Sequence, residues 1–294
     1  MNPPAPRLRR IGLVANPEKS RCAGLVRRAA RTLRSLHRAF LCEPETAALA
    51  GGGLPTAADL PDLVRRVDVL LVFGGDGTML RIAREVAGHP VPILGINVGN
   101  LGFLTAATPR HLTRTLRQVI DGEFQLEERA LLEAQVRRGP ERVTRIALND
   151  IVLSRGLASR LIELEVTVND ELLTRYRCDG FIASSPTGST AYSLAAGGAI
   201  VSPDAEVMIL TPICPHTLSI RPLVIPMSAT VQVRLRSPRL AAQLAIDGQQ
   251  QFELAQDDSV TIRRSPLTVR LLRPAQGSFF ATLRQKFAWS GSNV

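Results

Sequence analysis

Val67 to Phe73, apolar except for Asp68 near its start, has the length and composition of a strand buried on both faces. Gly74-Gly75-Asp76-Gly77-Thr78 ends it abruptly, and Met79 to Val86 follows with helical character. A doubly buried strand cut off by glycines and answered by a helix belongs to a parallel sheet covered by helices. The same alternation precedes and follows it. Ile11 to Ala15 reads as a strand broken by Asn16-Pro17, Cys22 to His37 as a helix, Leu60 to Val64 as a short helix and Val91 to Leu94 as a buried strand. Glu43 to Pro61, rich in Ala and Gly, reads largely as a loop. Pro109 to Ile120 reads as a helix with Thr108 as its cap.

From about Phe124 the texture changes to short alternating segments separated by turn signals, among them Gly139-Pro140, Asn169-Asp170, Asp247-Gly248 and Asp257-Asp258. Helix signal is sparse there apart from one start near Ser189, until Ser278 to Trp289 restores a helical pattern. The expected fold is therefore α/β plus β: a doubly wound α/β domain over residues 1–123, with the tail 273–294 packing back on it, and a β-rich, sandwich-like domain over 124–272. The length of 294 residues suits two such domains.

Composition narrows the function classes. The formal net charge is +10, carried almost wholly by arginine, since Lys19 and Lys286 are the two lysines. The arginines run from end to end without aromatic interleaving or a helix-turn-helix or zinc pattern, so no nucleic-acid partner is expected; a positive field also suits polyanionic nucleotides. The longest apolar runs fall far short of the roughly 20 residues of a membrane span, and no secretory core follows the basic start, so no membrane is expected. Cys22, Cys42, Cys178 and Cys214 form no C-x-x-C pair and read as reduced thiols, consistent with a cytoplasmic protein.

Three stretches carry chemistry. In the first, Gly74, Gly75 and Gly77 let backbone amides approach phosphate oxygens ahead of a helix N-terminus, with Thr78 completing the loop. Asp76 among them either caps the helix or accepts a hydroxyl proton or holds magnesium. In the second, Gly95 to Leu104 (GINVGNLGFL) follows the next strand and reads as a plain turn or a further ligand loop. In the third, Asp179 to Tyr192 (DGFIASSPTGSTAY) offers hydroxyls, amides and an aromatic face together, or an ordinary turn with a structural tyrosine. Asn149-Asp150 reads equally as a strand-end turn, Asp247-Gly248 as a two-residue hairpin turn and His216 as a packed or hydrogen-bonded histidine.

Taken in order, GGDGT, NVGNLGFL, Leu148-Asn149-Asp150, the DGF…SPTGSTAY run, PICPHTLSIRP, Asp247-Gly248-Gln249 and the LRQKFAW tail resemble the bacterial NAD kinases across nearly the whole chain. GGDG alone is shared with related lipid kinases and phosphofructokinases; the STAY run with PHTLSIRP discriminates better. The resemblance implies transfer of the γ-phosphoryl group of ATP to the 2′-hydroxyl of the adenosine ribose of NAD, with a divalent metal, magnesium, and a homo-oligomer, dimer or tetramer. It implies that Asp76 accepts the proton with Gly77 beside it, and that Asn149, Asp150, Arg160, Arg177 and Asp179 approach the dinucleotide. Thr187, Thr190, Ala191, Tyr192, Ser193, Leu194 and Ala195 would line its pocket, and Gln249 would reach in from a hairpin. Ala195 stands where the family usually has serine, Ser185 where it has threonine and Ala199 where it often has proline. The rival readings are a GGDG-type lipid kinase and a non-catalytic NAD(P)-sensing protein.

Overall fold

The computed structural model describes residues 8–99, 102–156, 160–238, 241–275 and 278–289. Asn100 and Leu101 of the NVGNLGFL motif and both ends of the chain, 1–7 and 290–294, lie outside them. The chain separates into two compact units, one running to Glu128 and resuming at Val269, the other spanning Arg129–Thr268.

The first unit contains β1 (Arg10–Ala15), α1 (Arg21–Ser35), β2 (Ala39–Cys42), α2 (Pro44–Leu49), α3 (Leu60–Arg66), β3 (Val69–Gly74), α4 (Asp76–Glu85), β4 (Ile93–Asn97) and α5 (Leu112–Ile120). Its strands run parallel in the order β2-β1-β3-β4. Every residue of β3 and β4 is buried, as an apolar run between two helical layers requires. Asp68, the polar exception before β3, accepts the backbone N–H groups of Arg9 and Arg10 at 2.8 Å and so fixes the start of β1. On α1 the buried residues are Cys22, Val26, Ala29, Ala30 and Leu33, a single stripe at helical spacing.

Three local expectations are corrected here. The Ala-rich stretch after Glu43 contains a helix, α2, started by Pro44 in its first turn and tied down by Thr46, whose buried Oγ1 accepts the Ala15 N–H at 2.8 Å. Alanine is the strongest helix former, so the Ala-rich stretch favours a helix rather than the loop expected from its composition. The strand expected at Val91 to Leu94 runs on to Asn97, because Val72, Phe73 and Gly74 supply partners for Gly95, Ile96 and Asn97. Thr108 makes no capping bond; its Oγ1 faces His111 Nδ1 at 3.3 Å, and a 3₁₀ turn over Pro109–His111 precedes α5.

The second unit follows β5 (Phe124–Arg138) with β6 (Glu141–Ala147), β7 (Asp150–Ser154), β8 (Ile162–Val168), β9 (Glu171–Cys178), β10 (Gly180–Ser184), α6 (Tyr192–Ala195), β11 (Val207–Ile213), β12 (Leu223–Pro226), β13 (Val231–Leu235), β14 (Ala242–Ile246) and β15 (Gln250–Leu254). β16 (Ser259–Pro274) then leads to α7 (Phe279–Phe287). One antiparallel sheet has the order β12-β11-β10-β7-β14-β15; in the other, β9, β8, β13 and the start of β16 are neighbours. Inward residues of both sheets, including Ile151, Leu164, Phe181, Leu210, Val233 and Leu244, form one core, which makes the unit a sandwich. Asn169 and Asp170 turn the β8–β9 hairpin with both φ angles positive, at 50° and 65°, as a two-residue turn matched to strand twist demands. The β14–β15 turn is longer than expected: Ile246 pairs with Gln250, leaving three residues, Asp247, Gly248 and Gln249, in the loop.

Phe181 is fully buried and its ring lies 5.6 Å from that of Tyr176. Phe181→Ala should cost about 3–5 kcal/mol, read as a lower urea midpoint for the sandwich by near-ultraviolet circular dichroism. A change below about 1 kcal/mol would show that this core closes over the cavity.

Candidate functional site

In the first unit the chain visits β1, steps aside to β2 and returns to the other side of β1 for β3. Strand order reverses between β1 and β3, and loops at the carboxyl ends of the two strands diverge there, the usual ligand position in such sheets. Gly75 alone links β3 to α4, whose first residue is Asp76. The loop after β1 is Asn16 to Ser20. Asn16 joins the two: its Oδ1 accepts the Glu18 N–H at 2.9 Å, and its Nδ2 donates to the Oγ1 of buried Thr78 at 3.3 Å.

Asp76 is half-buried, and each carboxylate oxygen accepts one backbone amide, Oδ2 from Phe103 at 2.9 Å and Oδ1 from Leu104 at 3.1 Å. It is therefore not a cap on its own helix, the alternative that its position at a helix start left open. A Cβ added at Gly102 would fall on the Asp76 carboxylate, so the glycine of this turn exists to admit the acid. Gly77 is exposed beside Asp76.

The structure also brings Lys19 to this place. Its ammonium nitrogen lies 3.3 Å from where a Cβ would stand on Gly75 and 3.8 Å from the equivalent point on Gly99. Among the described residues no carboxylate lies within ion-pair distance of it. Sequence reasoning passed over Lys19, although its signal was present: a lone lysine among arginines, in the loop that breaks the first strand.

In the second unit three motifs converge on Asn149 and Asp150 at the start of β7. The Asp247 carboxylate accepts the N–H groups of Leu148 (3.1 Å), Asn149 (2.7 Å) and Asp150 (3.2 Å). From the end of β10, the Asn149 carbonyl accepts the Ser185 N–H at 2.8 Å and the Ser184 hydroxyl at 3.3 Å, while the Ser185 hydroxyl donates to the Leu148 carbonyl. Gly188 lies against Asn149 so closely that a Cβ there would strike the Asn149 backbone. The Asn149 side-chain oxygen is buried and, among the described residues, has no hydrogen-bond partner. Asp150 is buried, and loss of water, reinforced by the neighbouring Asp247 carboxylate, pushes its carboxyl up to about 7. Asp247, read from sequence as a turn residue, is the group that organises this cluster.

The remaining expected residues are distributed as follows. Thr187 is buried in the 3₁₀ turn Thr187–Thr190. Ser189, expected to cap a helix, instead donates to the Pro186 carbonyl and accepts the Val201 N–H. Thr190, Ala191 and Leu194 are half-buried, Tyr192 and Ala195 are exposed, and the Ser193 hydroxyl is turned inward onto Thr211 Oγ1 at 2.9 Å. Asp179 pairs with Arg155 at 2.6 Å. Arg177, Arg160 and Gln249 are exposed. His216 is exposed rather than packed, and its N–H bonds the Arg177 carbonyl at 2.8 Å. All four cysteines are free.

Comparison with known proteins identifies the family. The ATP-NAD kinase N-terminal domain model matches residues 55–124 and the C-terminal domain model residues 148–273. The NAD kinase of Moorella thermoacetica is 43% identical over 97% of this chain and 91% of its own, and that of Thiobacillus denitrificans 42% identical over 95% and 96%. The chain belongs to the NAD kinase family. It is accordingly an ATP-dependent phosphotransferase that makes NADP from NAD. Among solved structures, yeast NADH kinase complexed with NADH superposes with a TM-score of 0.88 at 26% identity, covering 100% of this chain and 94% of the other. An Archaeoglobus fulgidus NAD kinase in complex with ATP gives 0.74 at 27% identity, covering 96% and 100%.

The Asp150 environment predicts a pH effect. Between about pH 4, where the carboxyl of an unfolded chain titrates, and about pH 7, the native state retains a proton that the unfolded state has lost. Asp150 therefore lowers stability as pH rises through this window, by at most about 1.4 kcal/mol per pH unit. Asp150→Asn should flatten the stability profile between pH 4.5 and 7 relative to the parent protein, as measured by urea unfolding. Identical slopes for the two proteins would show Asp150 ionised throughout.

Proposed function

We infer that Asp76 accepts the proton of the ribose hydroxyl and that Lys19, with the first-turn amides of α4, receives the donor phosphates. The observation that carries this reading is the Asp76 carboxylate, oriented by two amides beside a helix N-terminus that otherwise favours anions. In the transfer the 2′-hydroxyl oxygen of the adenosine ribose bonds to the γ-phosphorus of ATP. The bond from that phosphorus to the β–γ bridging oxygen breaks, and ADP leaves. The hydroxyl proton passes to Asp76, each of whose oxygens keeps a lone pair beyond its amide bond. Catalysis rests on positioning and charge neutralisation, as is general for phosphoryl transfer.

Magnesium would supply positive charge to neutralise the donor phosphates. Asp76 is the residue that would lend it an oxygen. The dinucleotide falls to the second unit, where the orphan Asn149 oxygen would accept a bond from it, Asp150 would lie at its edge and exposed Tyr192 would offer an aromatic face. Arg160, Arg177, Asp179, Thr187, Thr190, the run to Ala195 and Gln249 complete the proposed contacts. Solved relatives complexed with NADH and with ATP support binding of both nucleotides. A cytoplasmic homo-oligomer, dimer or tetramer, completes the reading. It is supported by the family resemblance and, for the compartment, by four free cysteines; no helix among the described residues is long and apolar enough to cross a membrane.

Asp76→Asn keeps the shape but loses the charge, and its single side-chain oxygen can accept only one of the two amides that Asp76 receives. Its turnover, followed with an NADP-specific dehydrogenase, should fall about 10²-fold or more, with NAD affinity retained. A folded variant working within a few-fold of the parent rate would overturn the assignment. For Lys19→Met, the KM for ATP should rise about 10-fold, the worth of one charge-assisted hydrogen bond, while the KM for NAD changes little. Equal increases for the two substrates would remove Lys19 from the phosphate site.

A further inference from the structure

The two amides that hold Asp76 belong to a turn that is itself held by the far end of the chain. Arg273, near the end of β16, is buried; its terminal nitrogen donates to the Phe103 carbonyl at 2.7 Å, and its Nε donates to Glu127 at 2.8 Å. The Phe103 ring lies 6.5 Å from Phe279 and 6.0 Å from Phe287 of α7, with the Lys286 ammonium 5.3 Å from its centroid. Phe103 is thus gripped at its carbonyl and at its ring, while its N–H points at the acid. All of these residues lie in the first unit.

A carboxylate on a short side chain rotates about two bonds. Two donors at a fixed separation remove that freedom, and they do so only while the turn carrying them is fixed. Catalytic groups lose much of their effect when displaced by about 1 Å. Gly102 brings no side chain to the turn, which is held by the burial of Leu104 and by what grips Phe103. We propose that Arg273 is a positioning residue for the phosphoryl transfer, acting with α7 through Phe103 and Leu104 to hold the Asp76 carboxylate in its productive orientation. The proposal rests on Asp76 being the proton acceptor. It gives the LRQKFAW tail a task in turnover distinct from substrate binding.

The test is steady-state kinetics on the full-length protein. Arg273→Met should lower kcat at least 10-fold with both KM values within threefold of the parent, and Arg273→Lys, which keeps one donor to the Phe103 carbonyl, should recover part of the loss. In an Asp76→Asn background, Arg273→Met should cost less than threefold further, because the group it orients has gone. Should Arg273→Met fail to fold, Phe287→Ala, at a half-buried position on α7, carries the same expectations with a smaller loss. Unchanged kcat in a folded variant, or losses that multiply fully in the double variant, would overturn the proposal while leaving Asp76 in place. If Asp76→Asn by itself retains turnover, the catalytic assignment fails first and the positioning role falls with it.

Discussion

A parallel sheet buried on both faces leaves its backbone no water, so its N–H and C=O groups must bond along the ladder, and polar chemistry is displaced to the strand ends. In the first unit this constraint sets almost everything that follows. With β1 and β3 adjacent and the chain order reversing between them, the loops after both strands open at the same place. Asn16, bridging from one loop to Thr78 at the start of α4, holds the two together and so brings Lys19 beside Gly75. The positive end of α4, the ammonium group and the carboxylate are then three charges placed by one topological fact.

Carboxylates serve as structural clamps at both centres, with different electrostatic results. Asp247 gathers three successive amides, and by pinning Leu148 to Asp150 it orders the start of β7 against the end of β10. The cost falls on Asp150, which is buried beside a second negative group and held protonated close to neutrality. Asp76 also receives amides, but it is half-buried and the cation nearby is a lysine, so it is not held protonated by a second carboxylate as Asp150 is.

Much of this was legible where the signal was local. The apolar run into Gly74-Gly75 marked β3 and the start of α4, Asn169-Asp170 marked a hairpin, and the change of texture near Phe124 separated helical from β-rich chain. Errors arose where a residue had two local meanings and its neighbours in space chose between them. The alanines after Glu43 became a helix because Thr46 and the Ala15 amide anchor it. Ser189 and Thr108 looked like caps but found other partners, and the Asp247 turn gained a third residue because its carboxylate is occupied with β7.

Period, glycine placement and motif order are properties of neighbouring residues, and they sufficed to determine the α/β and β-rich textures and membership of the NAD kinase family. What Asp76 is bonded to, which of the positive side chains stands beside it, and why Asp247 matters were decided by the tertiary structure. The partners concerned lie far apart in the chain: Asp76 with Phe103, Phe103 with Arg273, and Asn149 with Asp247. A hydrogen bond of this kind depends on where folding places a donor and an acceptor to within a few tenths of an ångström. No residue type announces that distance in advance.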